Sequence, residues 1–142
     1  MTGLQRRTRL APGRPPKRAQ APVSRPRRTG ATTDTTALVI ARDGGSCVPQ
    51  ITCRGLWVPR LVFGHRVNRA MGGSRLPWIN LPSNAVACCD TCNHALEDDA
   101  RPDWYAAGWK VRHGVTHPRD VPVRYPDGSW WLLDDNGGRE AA

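Results

Sequence analysis

Four cysteines form two pairs whose spacing suits a metal ion. Cys89 and Cys92 are separated by two residues, and Cys47 and Cys53 by five. Four thiolates are a ligand set that tetrahedral zinc prefers. A total of five cysteines fits four ligands and one free thiol better than disulfides. We therefore predict a structural zinc site at these four residues. Cys88 is an alternative ligand to Cys89, although its place beside Cys89 on a strand favours a core position.

A second set of reactive residues lies between the cysteine pairs and just after them. His65 ends an apolar segment, Asn84 begins the next one, and Glu97 follows Cys92 by five residues. Histidine accepts a proton readily near neutral pH, which suits it to act as a general base. A hard divalent ion such as Mg²⁺ prefers the carboxylate oxygens of Glu97 to sulfur. These residue types indicate acid–base chemistry assisted by a metal ion.

The order of these residues resembles that of the HNH endonucleases, of the kind common in phages. The resemblance is carried by residues 42–47 (RDGGSC), 64–74 (GHRVNRAMGGS), 81–89 (LPSNAVACC) and 92–93 (CN). It covers about residues 37–110, and its most specific part runs from His65 to Cys92. The segment WWLLDD at 130–135 also resembles the C-terminal ends of some phage members.

The resemblance implies a ββα-metal fold that hydrolyses DNA phosphodiester bonds with one divalent ion. His65 would be the general base that activates water, and Asn84 would hold the loop that carries His65 in register. Glu97 falls where the family's final histidine, a metal ligand, usually lies. Asp98 and His94 are close to Glu97 on the predicted helix, so spacing leaves both open as alternative ligands. Phage relatives also imply a role in genome processing or packaging.

The sequence departs from the family pattern at the residue before the base. Members often carry a histidine or aspartate there, whereas this chain has Gly64, which removes one expected metal ligand. Two functions therefore remain as hypotheses. One is a metal-dependent endonuclease or nickase acting on double-stranded DNA, using Mg²⁺ or another divalent ion. The other is a non-catalytic, zinc-stabilised module that binds nucleic acid. In either case Arg66, Arg69 and Arg75 are candidates to clamp phosphates.

The elements that must position these residues are predicted to be short. Capping residues and apolar patterns indicate a helix that begins near Asp34 and stops at Gly44 and Gly45. They also predict strands over 57–63 and 84–89, a long loop over 64–83, a helix from Asp90 or Thr91 to about Ala107, and a strand over 109–112. The Asp127-Gly128 turn between two apolar segments predicts a C-terminal β-hairpin.

These elements together predict a small α+β domain of the ββα-metal or treble-clef-like type. Its core would be small and partly replaced by zinc. We divide the chain into a disordered Arg/Pro-rich tail at 1–33, a nuclease domain at 34–112 and a C-terminal hairpin extension at 113–142.

The formal charge of +9 on this 142-residue chain is concentrated in the tail. Residues 1–30 contain nine bases and no acid, whereas the rest has 12 bases and 12 acids. The tail is either a solvated segment or a loose, sequence-independent arm for phosphates. No apolar segment approaches the about 20 residues that span a bilayer, and none follows the basic start as in a secretory signal. We expect a soluble cytoplasmic protein, in the host cytoplasm if phage-encoded, that does not contact membranes.

Overall fold

The computed structural model describes residues 30–70 and 74–142. The predicted disorder of the basic tail, apart from its last few residues, lies outside these ranges. The helices are α1 (Thr33–Arg42), α2 (Asp90–Asp98) and α3 (Pro102–Ala106), and the strands are β1 (Leu61–His65), β2 (Ala85–Cys89), β3 (Val123–Arg124), β4 (Trp130–Leu133) and β5 (Arg139–Ala141). Short 3-10 turns occupy Pro82–Asn84 and Pro118–Asp120. The small α+β class is confirmed.

Strands β1 and β2 form an antiparallel ribbon that leads directly into α2. Leu61 pairs with Cys89 at one end of the ribbon, and His65 pairs with Ala85 at the other. Every residue of β2 is buried. The apolar side chains of its sequence AVACC therefore pack against protein on both faces of the strand. Cys89, at the end of β2, and His65, at the end of β1, therefore lie at opposite ends of the same ribbon.

Two predicted boundaries were wrong. The first strand begins at Leu61 instead of residue 57, since Pro59 lies in the earlier stretch and has no N–H to donate to a ladder. The helix after β2 ends at Asp98 instead of continuing to about Ala107, and α3 begins separately with Pro102 in its first turn. The ammonium group of Lys110 donates to the carbonyls of Leu96 and Asp99 at this helix end.

The predicted hairpin forms at the expected turn and acquires a third strand. Gly128 has a φ of +84°, and β3, β4 and β5 form one antiparallel sheet in that order. Residues 109–112 are not a strand. Within the described ranges, no helix is long and apolar enough to cross a membrane.

The C-terminal sheet packs on the same core as the β1–β2 ribbon. Val123 and Leu133 of the sheet share one buried cluster with Val86 of β2. The carboxylate of Asp43, at the end of α1, accepts hydrogen bonds from the Tyr125 hydroxyl at 2.6 Å and from the Ala87 N–H at 2.8 Å. One buried carboxylate thus links α1, β2 and the C-terminal sheet.

Candidate functional site

The sulfur atoms of Cys47, Cys53, Cys89 and Cys92 form a compact cluster. All four lie within 4.8 Å of one another, and the Cys53 and Cys92 sulfurs are 3.8 Å apart. All are free thiols. Tetrahedral zinc with Zn–S bonds of about 2.3 Å requires sulfur–sulfur distances of about 3.8 Å. The cluster could therefore hold a metal ion such as zinc.

Backbone N–H groups donate to three of the four sulfurs of this cluster. Cys89 caps α2 and its sulfur accepts from the Cys92 N–H at 3.4 Å, while the Cys47 sulfur accepts from the Cys89 N–H at 3.4 Å. The Thr52 N–H donates to the Cys92 sulfur at 3.3 Å. Because N–H donors and a helix N-terminus both complement the negative charge of a metal-bound sulfur, these contacts suit Cys47, Cys89 and Cys92 to a metal site. Burial, together with the neighbouring cysteines, instead raises the pKa of Cys53 to about 12.

Cys88 is not part of the sulfur cluster. Its side chain is fully buried and belongs to the apolar cluster that contains Val86 and Leu96. A hydrogen bond from the Cys88 thiol is the main cause that lowers the pKa of Cys47 to about 5. The same bond and burial raise the pKa of Cys88 well above its ordinary value. Cys88 therefore remains a protonated donor beside the cluster, and the ligand alternative has no geometric support.

His65 lies at the other end of the ribbon, beside an open cavity. The cavity has a volume of about 350 Å³ and is lined by His65, Asn68, Arg69, Ala70 and Glu97. The His65 ring is half-buried, and burial is the main cause that lowers its pKa below the ordinary value of 6.5. The charge of Arg69 lowers this pKa further, whereas Glu97 opposes the shift. The imidazole is therefore held in its neutral, basic form at pH 7.

The ring of His65 has two neighbours that restrict it. Its Nε2 lies 2.9 Å from Oδ1 of Asn80. The ring of Phe63, two residues earlier on the same face of β1, makes an edge contact with centroids 4.7 Å apart. Asn80 was missed by the sequence analysis, because nothing in its local pattern distinguishes it from the other polar residues of a long loop.

Asn84 connects the segment after His65 to the loop that carries Asn80. It is fully buried. Its side-chain Oδ1 accepts from the Val67 N–H at 2.8 Å, and its Nδ2 donates to the Ile79 carbonyl at 2.9 Å. The Asn84 carbonyl also accepts from the Arg66 N–H at 2.8 Å. Asn84 therefore holds both the segment that follows His65 and the segment that precedes Asn80.

Of the three candidate ligands on α2, Glu97 is the one that shares the His65 cavity. Its carboxylate accepts from the Asn93 side chain at 3.1 Å and is exposed. Asp98 lines a neighbouring cavity of about 270 Å³. His94 is exposed and lines neither cavity. Among the residues that the structure describes, the cysteine cluster is the only group of three or more potential metal ligands. A divalent ion at Glu97 would thus depend on water and phosphate oxygens for its other ligands.

The three loop arginines have different environments. Arg66 is fully buried, and its guanidinium donates to the carbonyls of Ser83, Gly108, Pro118 and Val121 at 2.7–2.9 Å. The prediction that Arg66 clamps a phosphate is therefore corrected, because its donors are used inside the core.

Arg69 and Arg75 are both near the site. Arg69 lines the His65 cavity and also an adjacent cavity of about 390 Å³, which Arg75 lines with it. Arg75 is exposed and Arg69 is half-buried, and the two cavities share Asn68, Arg69 and Ala70. The prediction that these two side chains bind phosphate stays a prediction.

Comparison with known proteins gives no relative: no protein-family model, no curated protein and no solved structure matches this chain. The function of the site must be inferred from its own residues.

Proposed function

We propose that this chain is a metal-dependent endonuclease or nickase of the HNH type that hydrolyses phosphodiester bonds in double-stranded DNA. The observation that carries the proposal is one cavity lined by His65, Arg69 and Glu97. Hydrolysis of a phosphodiester needs a base for the attacking water, a divalent ion on the phosphate oxygens and positive charge nearby. The imidazole of His65 can act as the base, the carboxylate of Glu97 can bind the divalent ion, and the guanidinium of Arg69 provides the positive charge.

In this proposal each residue has a defined task. His65 accepts a proton from the attacking water, which its neutral state at pH 7 allows. Glu97 binds Mg²⁺ or another divalent ion, and such an ion stabilises charge on the phosphate oxygens when bound. Arg69 and Arg75 bind the phosphates in the adjacent cavity that both of them line. Asn84 keeps the segment after His65 in place through its bond to Val67.

We also propose that the cysteine cluster binds one structural zinc ion. The cluster includes residues before β1, at the end of β2 and in the first turn of α2. Zinc at this point would fix the start of α2 against the ribbon, and so fix the direction in which Glu97 is presented. The ion would stabilise the fold and would not take part in hydrolysis, because it lies at the end of the ribbon opposite to His65.

A non-catalytic zinc module that binds nucleic acid is the second candidate. The observation that favours it is Gly64, which offers no ligand beside the base. If the chain shares the biological role of the phage proteins that it resembles, it would act in genome processing or packaging in the host cytoplasm under both candidate functions.

A plasmid-nicking assay distinguishes the two candidates. Wild type, His65→Ala and the control Asn136→Ala would be incubated with supercoiled DNA and Mg²⁺, Mn²⁺ or Ni²⁺. Loss of a general base costs about 10²–10⁴-fold in rate, so His65→Ala should be nearly inactive. Asn136 is exposed and lines neither the His65 cavity nor the adjacent one, so its variant should cut like the wild type. Unchanged cleavage by His65→Ala would refute the proposed base. DNA binding without cleavage under any metal would establish the binding module.

A further inference from the structure

We propose that Asn80 is a positioning residue that selects which nitrogen of His65 is the base. Its amide oxygen lies 2.9 Å from Nε2 of His65. A carbonyl oxygen can only accept a hydrogen bond, so Nε2 must carry the proton and donate it. In a neutral imidazole the other nitrogen then has the free lone pair. Asn80 thus assigns the proton-accepting role to Nδ1. The assignment of the tautomer stands by itself, whereas its catalytic meaning rests on the proposed endonuclease function.

The surroundings of the ring make this hydrogen bond effective. His65 is half-buried, so water competes for Nε2 less than it would on an open surface. The edge contact with Phe63, at an interplanar angle of 60°, limits rotation of the ring. A ring held on one side by an aromatic residue and on another by an amide has one preferred orientation. The amide therefore determines the tautomer of a ring whose position is already defined.

Asn84 sets the distance between Asn80 and His65. Its Nδ2 donates to the carbonyl of Ile79, the residue before Asn80, and its Oδ1 accepts from Val67, two residues after His65. Both bonds come from one fully buried side chain. The two partners of the Nε2 hydrogen bond are thus connected to a common anchor inside the core. This connection explains how a long loop can place Asn80 with the accuracy that a tautomer requires.

The test is nuclear magnetic resonance of protein labelled with ¹⁵N-histidine, which distinguishes a protonated from an unprotonated ring nitrogen. We expect wild-type His65 to be protonated at Nε2. Asn80→Asp keeps an accepting oxygen and should retain this tautomer. Asn80→Leu removes the acceptor and should give a mixture of tautomers. Asn136→Leu, at an exposed position on the β4–β5 turn that does not line the His65 cavity, is the matched control and should leave the spectrum unchanged.

Cleavage kinetics provide the second readout. Hydrogen-bond partners that orient metal-binding histidines contribute about 10- to 100-fold to activity. We expect a similar factor for a histidine base, so Asn80→Leu should lower kcat by this amount with little change in KM. Asn80→Asp should preserve more of kcat than Asn80→Leu. An equal loss of kcat in both variants would show a purely structural role and overturn the proposal.

The spectra separate this inference from the proposed function. A wild-type His65 protonated at Nδ1 would overturn the inference, as would a folded Asn80→Leu with an unchanged tautomer. If Asn80→Leu does not fold, the wild-type and Asn80→Asp spectra still decide the assignment. A protein that cuts no DNA but carries the proton on Nε2 would overturn the endonuclease and support the contact between Asn80 and His65.

Discussion

A Cβ atom on Gly64 would lie 2.5 Å from the sulfur of Cys88. It would also lie 2.9 Å from the carbonyl oxygen of Val86. Successive residues of a strand face opposite sides, so position 64 faces the core where His65 faces the cavity. The core therefore requires glycine at the position where the HNH pattern often carries a metal ligand. A catalytic ion in this chain would therefore need ligands other than residue 64. Glu97 is a candidate ligand that lines the same cavity as His65.

Gly64→Ala should destabilise the protein without improving metal binding. Forcing a methyl group into a filled core typically costs about 1–3 kcal/mol. Urea unfolding would show this loss as a lower midpoint. The combined variant with Cys88→Ala should recover part of it, because one of the two closest contacts is removed. A Gly64→Ala protein as stable as the wild type would contradict this packing argument.

Purified protein should contain about one zinc ion per chain if the sulfur cluster is a structural site. Cys92→Ser should lose the ion, and removal of the metal by a chelator should unfold the protein, since such sites contribute on the order of 10 kcal/mol at neutral pH. Cys88→Ala is the matched control. Cys88 lies outside the cluster, so its variant should retain zinc. A fully folded protein without metal would refute the proposed site.

Arg66→Lys should lower the free energy of unfolding by several kcal/mol, because a buried carbonyl that loses its donor costs about 1–3 kcal/mol. Lysine has one nitrogen and cannot reach the four carbonyls that the guanidinium satisfies. Arg75→Lys, at an exposed position, should cost little. The measurement is chemical unfolding of both variants. A stable Arg66→Lys with weak DNA binding would restore Arg66 as a phosphate clamp.

The value of kcat/KM for cleavage, which reports the free enzyme, should rise with pH through the pKa of His65 and then level off. Burial lowers this pKa below 6.5, and only the neutral ring can accept a proton, so the acidic limb should lie below pH 6.5. Arg69→Gln removes a positive charge that lowers the same pKa. Its acidic limb should therefore move to higher pH. The exposed Arg124→Gln is a control that should not move it, and a shift to lower pH in Arg69→Gln would contradict the assignment.

Deletion of residues 2–30 should weaken DNA binding and flatten its dependence on salt. Nine of the 21 basic residues are in this segment, and each phosphate neutralised by a base adds to the salt slope. Turnover at saturating DNA should persist, because His65 and Glu97 lie elsewhere. Binding titrations at several salt concentrations provide the measurement. Complete loss of turnover would show that the tail takes part in catalysis.

The sequence by itself determined the features that depend on residues close together along the chain. The short spacing of Cys89 and Cys92 at the start of a helix predicted two members of the sulfur cluster, and Cys47 and Cys53 completed it as expected. The turn at Asp127 and Gly128 predicted a hairpin because glycine readily adopts its positive φ. Such features follow from spacing and backbone preference, both of which can be read along the chain.

The tertiary structure alone decided which polar residues are buried and what they contact. The sequence does not distinguish Arg66 from Arg75, since both are arginines of the same predicted loop. In the structure, Arg66 is enclosed by carbonyls of residues 17 to 55 positions away. Asn80 contacts His65 from 15 positions later in the sequence, and Gly64 is required by a sulfur 24 positions later. Hydrogen-bond partners and steric limits of this kind depend on how distant segments pack. His65, Asn84 and Glu97 were therefore identified as candidates from the sequence, whereas the burial of each side chain and the contact with Asn80 were decided by packing.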